Sequence, residues 1–273
     1  MNWVISVSHS RTCTPLPLIT PLSTLNPSRE LVPKSTIGTC NGRSSRCVKA
    51  DAAEIEIRVC TNRTCRRQGS VQIRETLSDI APPNVSVNSC GCLGRCGAGP
   101  NLVALPAAVM VNHCGTAARA ADFMVVACGG RNAGDGDRSE AWKCLEALAL
   151  RKRAEVKLGI GNFSEAEFLL SKAIDLKPFG GIHVTYKDRS CVRFRQGDLY
   201  GALEDAKQAL MLAPQYAQAY ICQGDAFFAM DLFDKAEDSY SLAIETDPSV
   251  HHSKSFQARI AKLQEKLTSV TAP

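Results

Sequence analysis

Three segments in the second half of the chain share one pattern, and this repeat constrains the fold more than any other sequence feature. Each segment ends at a proline, and Pro178, Pro214 and Pro248 lie 36 and 34 residues apart. Small residues recur at equivalent places before these prolines: Ala166, Ala202 and Ala236, then Ala173, Ala209 and Ala243. A period near 34 residues, with small residues where helices cross, predicts helix pairs stacked as a solenoid.

This pattern resembles the tetratricopeptide repeat (TPR). Leu150, Tyr186 and Tyr220 fill the position at which the family has a bulky residue. Ala154, Ser190 and Gly224 fill the position at which it has a small one. The resemblance implies an all-α TPR solenoid over 139–270, with repeats near 147–180, 183–216 and 217–250 and a capping helix at 252–268. Because such arrays bind proteins in a groove lined by the first helix of each pair, we expect a protein partner, which the sequence does not identify.

One TPR subgroup, the chaperone-binding clamp, holds a C-terminal carboxylate with Lys, Asn and Arg side chains. The equivalent positions here are Arg151, Glu155, Asp188, Gln218 and Cys222. This set contains one cation, and its two acids would repel a carboxylate. The sequence therefore does not support the clamp, and we expect a neutral or basic partner segment.

Two close pairs of cysteines mark the first half of the chain: Cys60 with Cys65, and Cys92 with Cys96. Thiolates are soft ligands, and four of them converging on one place suit an iron–sulfur cluster or zinc. Four-cysteine zinc sites usually space each pair by two residues, and a thiol redox centre needs the same C-x-x-C spacing, which occurs nowhere here. We interpret the pairs as ligands of a [2Fe–2S] cluster, one pair on each iron, with zinc or buried structural cysteines as alternatives.

The cysteine segments resemble those of the thioredoxin-like [2Fe–2S] ferredoxins, which include an iron–sulfur subunit of respiratory complex I. The matching residues are Val59-Cys60-Thr61 with Cys65, then Cys92-Leu93-Gly94-Arg95-Cys96-Gly97 with Pro100. The resemblance covers about 54–128 and implies that Cys60 and Cys65 bind one iron and that Cys92 and Cys96 bind the other. Cys90, two residues before Cys92, is an alternative ligand.

Apolar periodicity around these cysteines predicts the order β-α-β followed by β-β-α. The predicted elements are strands at 54–59, 84–89, 102–105 and 108–112 and helices at 65–80 and 115–128. This order predicts an α+β, thioredoxin-like ferredoxin domain over 51–128. A Gly/Asp-rich segment at 129–138 is typical of a linker and separates this domain from the TPR solenoid.

The net charge of +5 is concentrated in residues 1–50, which hold six Lys or Arg and one acid, Glu30. With eight Ser, six Thr and five Pro, this segment is typical of a disordered transit peptide to the chloroplast stroma, with the mitochondrion as the alternative. The remaining chain is nearly neutral, which argues against a nucleic-acid surface. No apolar run reaches the roughly 20 residues that span a bilayer.

The sequence contains no nucleophile–base pair, phosphate loop or nucleotide fingerprint, so we predict that the protein is not an enzyme. In the first hypothesis the cluster transfers one electron and the repeats dock it to a protein complex in the chloroplast. In the alternative the chain is a TPR scaffold or assembly factor for a plastid complex, and its cluster is structural or redox-sensing. Four arginines near the cysteines, Arg63, Arg66, Arg67 and Arg95, indicate either an acidic partner or a solvated basic face.

Overall fold

A small mixed sheet with flanking helices forms the first part of the fold. A computed structural model describes residues 54–129 and 135–271; the predicted leader at 1–50 and the linker residues 130–134 lie outside this description. The elements are β1 (Ile55–Cys60), α1 (Arg63–Arg67), α2 (Ser70–Ile80), β2 (Val85–Cys90), β3 (Leu102–Leu105), β4 (Val109–Val111) and α3 (Ala117–Gly129). The predicted β-α-β and β-β-α order of a small sheet domain is therefore observed.

The strand order in the sheet is β2-β1-β3-β4. β1 pairs with β2 in parallel and with β3 antiparallel, and β4 is antiparallel to β3. β1 occupies a central position because its alternating sequence places Ile57 and Val59, both fully buried, on one face. That face packs on α2 and α3, where Leu77 and Met124 are also fully buried.

The helix predicted over 65–80 is two helices in the structure. The break falls at Gly69, whose φ of 90° lies in the left-handed region, so that α1 ends at Arg67 and α2 begins at Ser70. Glycine adopts this conformation without the steric cost that a Cβ atom brings. The sequence prediction missed the break because the apolar spacing of Ile73 and Leu77 belongs entirely to α2.

The second part of the fold is a TPR-like stack of helices. Its elements are α4 (Asp135–Gly159), α5 (Phe163–Asp175), α6 (Ile182–Gln196), α7 (Leu199–Leu212), α8 (Ala217–Ala229), α9 (Phe233–Thr246) and α10 (Lys254–Thr271). The six alanines that define the repeat are each fully buried at the helix crossings. Gly224 serves the same purpose, because a Cβ atom there would lie 2.5 Å from the Tyr240 ring.

Helix α4 belongs to both parts of the fold. It begins at Asp135, inside the segment predicted to be a linker, and its first half packs on the small sheet domain. Ala141 and Cys144 join the same buried core as Ile57 and Leu77. The second half of α4 then pairs with α5 as the first repeat. Among the helices described, none is both long and apolar enough to cross a bilayer.

Candidate cysteine site and repeat groove

The predicted cysteine ligands lie together at one edge of the small sheet. Cys60 ends β1, and its parallel neighbour β2 ends at Cys90, which is the register partner of Cys60. The chain continues from Cys60 into α1, which carries Cys65, and from Cys90 into the loop that carries Cys92 and Cys96. Because parallel strands end at the same edge, both cysteine pairs meet there.

The four sulfurs form a connected series. The Cys60 thiol is within hydrogen-bonding reach of both Cys65 and Cys92. The Sγ atoms of Cys92 and Cys96 are 3.5 Å apart. Cys60 and Cys65 are buried, at 1% exposure each, whereas Cys92 and Cys96 are exposed. The site therefore has a buried pair inside the domain and an exposed pair at its surface.

Several N–H groups point at these sulfurs. The backbone N–H groups of Asn62 and Leu93 favour the thiolate form of Cys60 and so lower its pKa, and that of Gly94 donates to the Cys92 Sγ over 3.4 Å. Backbone donors of this kind stabilise thiolates and the anionic clusters that thiolates hold. Gly94 has a φ of 83°, a left-handed conformation that suits glycine.

Asn101 is a site residue that the sequence analysis missed. Its side chain is 1% exposed, and its Nδ2 donates to the Cys65 Sγ over 3.7 Å and to the Arg95 carbonyl oxygen over 2.8 Å. It thereby fixes the cysteine loop against the buried pair. Its position in the sequence could have identified it, because it is an amide residue directly before a buried strand. A polar side chain that is buried there needs a hydrogen-bond partner.

The thiol pKa values reflect this arrangement. Burial of Cys60 opposes ionisation, but the N–H groups of Asn62 and Leu93, together with hydrogen bonds from Cys65 and Cys92, outweigh it and hold the pKa below its usual value. Burial, and then the neighbouring Cys60, raise the pKa of Cys65. The hydrogen bond and charge of Cys92 raise the pKa of Cys96. Converging thiols suppress each other's ionisation in this way until a cation offsets the charge.

The cysteine site consists of two pairs of sulfur donors. Among the described residues, no three His, Cys, Asp or Glu side chains surround one point as ligands of a single ion. A [2Fe–2S] cluster takes two thiolates on each of two irons, so a donor set made of two pairs fits it. Cys90 lies next to this set, on the strand rather than the loop, and burial raises its pKa. Arg63, Arg66, Arg67 and Arg95 are all exposed around the cysteines.

The repeat region has a groove formed by α4, α6 and α8, the first helices of the three pairs. One end of it is a cavity of ≈ 420 Å³ whose wall includes Arg151, Glu155, Lys187 and Asp188. Toward the other end, Asp225 on α8 accepts hydrogen bonds from the Tyr240 hydroxyl and from Arg259 on the capping helix α10.

The acids and bases of the groove are paired with one another. Lys187 lies 2.5 Å from Asp188, and Arg151 lies 3.7 Å from the same carboxylate. Burial opposes the charge of Lys187, but Asp188, with smaller contributions from Tyr216 and Cys191, outweighs it and raises the lysine pKa. From the sequence, Asp188 was expected to repel a carboxylate; in the structure Lys187 pairs with this acid and offsets its charge.

Comparisons with known proteins relate the repeat region to TPR proteins. No family model matches the chain. Small glutamine-rich tetratricopeptide repeat-containing protein 2 of Mycosarcoma maydis is 26% identical over 124 residues, which are 45% of this chain and 34% of that protein. RNA polymerase II-associated protein 3 of Mus musculus is 28% identical over 137 residues, which are 50% of this chain and 19% of that protein.

A solved structure, the first TPR of Spaghetti (RPAP3) bound to HSP90 peptide SRMEEVD, is 24% identical with a TM-score of 0.41 and covers 45% of this chain and 94% of that chain. The chain spans about a fifth to a third of the length of the two curated relatives. The sequence matches confirm the predicted TPR-like repeats. Neither relative is named as an enzyme, in agreement with the prediction of a non-enzymatic protein.

Proposed function

We propose that the chain is a protein-binding adaptor that holds a partner segment in the groove of α4, α6 and α8. The observation that carries this proposal is the groove itself, with exposed polar positions such as Glu155 and Gln218 on helices whose opposite faces are packed. The similarity to TPR-containing relatives supports the same function. An adaptor of this kind corresponds to the scaffold alternative of the sequence analysis.

Site-specific photocrosslinking tests this function. A photoreactive residue at Gln218, exposed on the groove helix α8, should give a discrete crosslinked adduct in an extract of the source tissue. The same residue at Lys207, exposed on the second helix of its pair, is the matched control and should not. Equal adducts from the two positions, or adducts from Lys207 alone, would rule out the groove as the binding surface.

The partner segment does not depend on a terminal carboxylate. Of the five clamp positions only Arg151 is cationic, and its guanidinium is already bound to Asp79 and faces Asp188. A free carboxylate would therefore have to displace an acid that is already in place. The peptide SRMEEVD with a free C-terminus and the same peptide with a C-terminal amide should bind equally weakly to this chain.

A [2Fe–2S] cluster held by Cys60, Cys65, Cys92 and Cys96 is the second part of the proposal. It is supported by the convergence of the four sulfurs in two pairs and by the N–H groups that point at them. A bound cluster supplies one-electron redox chemistry. The chain's own part is to hold one cysteine pair in the interior and one at the surface, with Asn101 fixing the loop between them.

The sheet order, with β3 antiparallel to its neighbours, supports a thioredoxin-like ferredoxin domain. Oxygen-free purification followed by iron and sulfide analysis and EPR of the reduced protein tests the cofactor. We expect two irons and two sulfides per chain, as a [2Fe–2S] cluster contains about two of each. Zinc without sulfide would replace this proposal by a zinc site.

The cluster has a structural or redox-sensing role in this proposal, inside an adaptor of the chloroplast stroma. The role is supported by the shared core of the small domain and α4, since the cysteine site is built into the same unit as the groove. Plastid targeting is supported by the composition of residues 1–50. A Cys92→Ser/Cys96→Ser protein that crosslinks at Gln218 as the parent does would separate groove binding from the cluster.

A further inference from the structure

Two cysteines outside the cluster site face each other inside the groove. Cys191 on α6 and Cys222 on α8 are 31 positions apart in sequence, and their Sγ atoms are 3.4 Å apart. A disulfide has an S–S distance of about 2.05 Å, so closing the bond requires each sulfur to move by less than about 1 Å. α6 and α8 are the first helices of successive repeats, so such a bond would cross the floor of the groove.

Both cysteines border the groove. Each is only partly buried, and both line a cavity of ≈ 150 Å³ together with Phe194 and Arg259. Cys191 also lines the larger cavity of ≈ 420 Å³. Cys191 therefore borders two cavities of the groove, and Cys222 borders one.

The surroundings distinguish the two thiols chemically. The hydrogen bond from Cys222 lowers the pKa of Cys191 despite its burial, and the nearby ammonium of Lys187 acts in the same direction. The hydrogen bond to Cys191, followed by burial, raises the pKa of Cys222. Because Cys191 lines both cavities and lies near the Lys187 ammonium, it is assigned as the first nucleophile, and Cys222 as the thiol that acts second.

We propose that Cys191 and Cys222 are a reversible thiol–disulfide site that ties α6 to α8 across the groove. The oxidant is a disulfide, either that of an oxidised dithiol protein or glutathione disulfide. The Cys191 thiolate attacks one oxidant sulfur, the oxidant S–S bond breaks, and its second sulfur leaves as a thiolate. Cys222 then loses its proton and attacks the Cys191 sulfur, which releases the first oxidant sulfur and leaves one new disulfide and two reduced oxidant thiols.

The consequence for the groove rests on the adaptor function proposed above. A bond between α6 and α8 fixes the spacing of two helices that contact the partner, so the oxidised groove has one fixed width. Reduction restores two separate side chains. Partner binding would thus depend on the thiol–disulfide redox potential of the compartment.

Peptide mapping tests the site without any partner. Full-length protein is equilibrated with glutathione disulfide, alkylated without reduction, and digested with trypsin. A linked product should join the short peptide that contains Cys191 to the long peptide that contains Cys222, and reduction should separate them. Cys222→Ser should abolish the product, and Cys128→Ser, which removes a cysteine packed against Met124, should leave it unchanged.

Two results would overturn the proposal. One is the absence of the linked product while other cysteines of the chain become modified; the other is an equal yield of links from Cys191 to several cysteines. Because the readout is a covalent bond, a negative result leaves the photocrosslinking test of groove binding unaffected. A positive result together with identical photocrosslinking of reduced and oxidised protein would retain the site but reject its control of the groove.

Discussion

Arg151, on the first groove helix α4, binds Asp79 at the end of α2 in the small domain. Its guanidinium forms an ion pair with the Asp79 carboxylate and donates to the Asp79 backbone carbonyl over 3.2 Å. The two residues are 72 positions apart in sequence, and the Arg151 side chain is 7% exposed. The single clamp cation of the repeat region is therefore occupied by an acid from the same chain.

Replacing Asp79 with alanine should destabilise the protein. The change removes the carboxylate that pairs with a buried guanidinium, which keeps the backbone carbonyl of residue 79 and the more distant Asp188 as partners. Since Asp79 is 28% exposed, we expect a loss of about 1–3 kcal/mol in the free energy of unfolding. Urea titration measures it. Glu146→Ala, which removes an exposed acid from the same helix α4, should change stability by less than about 0.5 kcal/mol.

The same substitution should change the response of the groove to carboxylates. With Asp79 removed, Arg151 becomes available, and the free-acid form of SRMEEVD should bind about tenfold better than its amide, since a hydrogen bond to a charged group contributes about 1.5–3 kcal/mol. Fluorescence anisotropy with the two labelled peptides provides the comparison. A preference for the free acid already in the parent protein would contradict the occupied state of Arg151.

Gly180 marks a second contact between the small domain and the repeats. A Cβ atom at Gly180 would collide with the Ile80 carbonyl oxygen and lie 3.0 Å from the Pro82 backbone nitrogen, and neither atom belongs to a flexible side chain. Its neighbour Gly181 donates from its backbone N–H to the Ala81 carbonyl oxygen over 3.1 Å. Gly180→Ala should therefore force the two parts away from each other.

We expect Gly180→Ala to lower the free energy of unfolding by about 1–3 kcal/mol, the usual cost of inserting an atom into a filled space. Thermal and urea unfolding measure the loss. Gly159→Ala is the matched control, because a Cβ atom at the end of α4 meets nothing within 4 Å. Equal stability of the two variants would show that the small domain is not held against the loop at Gly180.

Local patterns predicted much of this fold. The repeat could be predicted because only small residues fit where helices cross, so the buried alanines recur with the period of the repeat. The cysteine pairs were readable because their spacing and glycines are local features. The contacts of Arg151 with Asp79 and of Gly180 with Ile80 could not be predicted, since each joins positions far apart in sequence and produces no periodic pattern in the sequence. Asn101 was missed for a similar reason: its role depends on the loop that folds over it.

His183, on α6, provides a pH-dependent test. Its ring packs edge-on against Tyr216, and burial, with a smaller contribution from the charge of Arg151, lowers its pKa to about 4. An unfolded histidine has a pKa of about 6.5, so between these values the unfolded chain binds more protons than the folded one. Stability should therefore fall as the pH decreases from about 6.5 toward 4.

His183→Phe keeps an aromatic ring against Tyr216 and removes the titrating group. We expect the loss of stability between pH 7 and pH 5, measured by urea unfolding, to be smaller in this variant than in the parent. Other groups titrate in the same pH range, so the test compares the change in stability with pH between the variant and the parent. His251→Phe, at an exposed position, should retain the parental slope, and a parental slope in His183→Phe would show that His183 is not protected from protonation.

Gly99 tests the cysteine site through a steric change. A Cβ atom at Gly99 would collide with the Gln68 side-chain oxygen and lie 2.8 Å from the Cys65 Sγ, so Gly99→Ala should displace one of the buried sulfurs. At Gly97, two residues earlier in the same loop, a Cβ atom meets nothing within 4 Å. Each alanine variant adds one methyl group to the same loop, and the two differ in whether that group meets the Cys65 Sγ.

If the four cysteines hold a [2Fe–2S] cluster, Gly99→Ala should contain less iron and sulfide after anaerobic reconstitution than Gly97→Ala, which should match the parent. Loss of an outer-shell contact at a metal site lowers metal affinity by about 10–100-fold, and displacement of a ligand sulfur should have at least that effect. Iron and sulfide analysis and the visible absorbance of the cluster are the readouts. A full content of iron and sulfide in Gly99→Ala would mean that Cys65 is not a cluster ligand. Cys90, the alternative ligand, would then be the next residue to substitute.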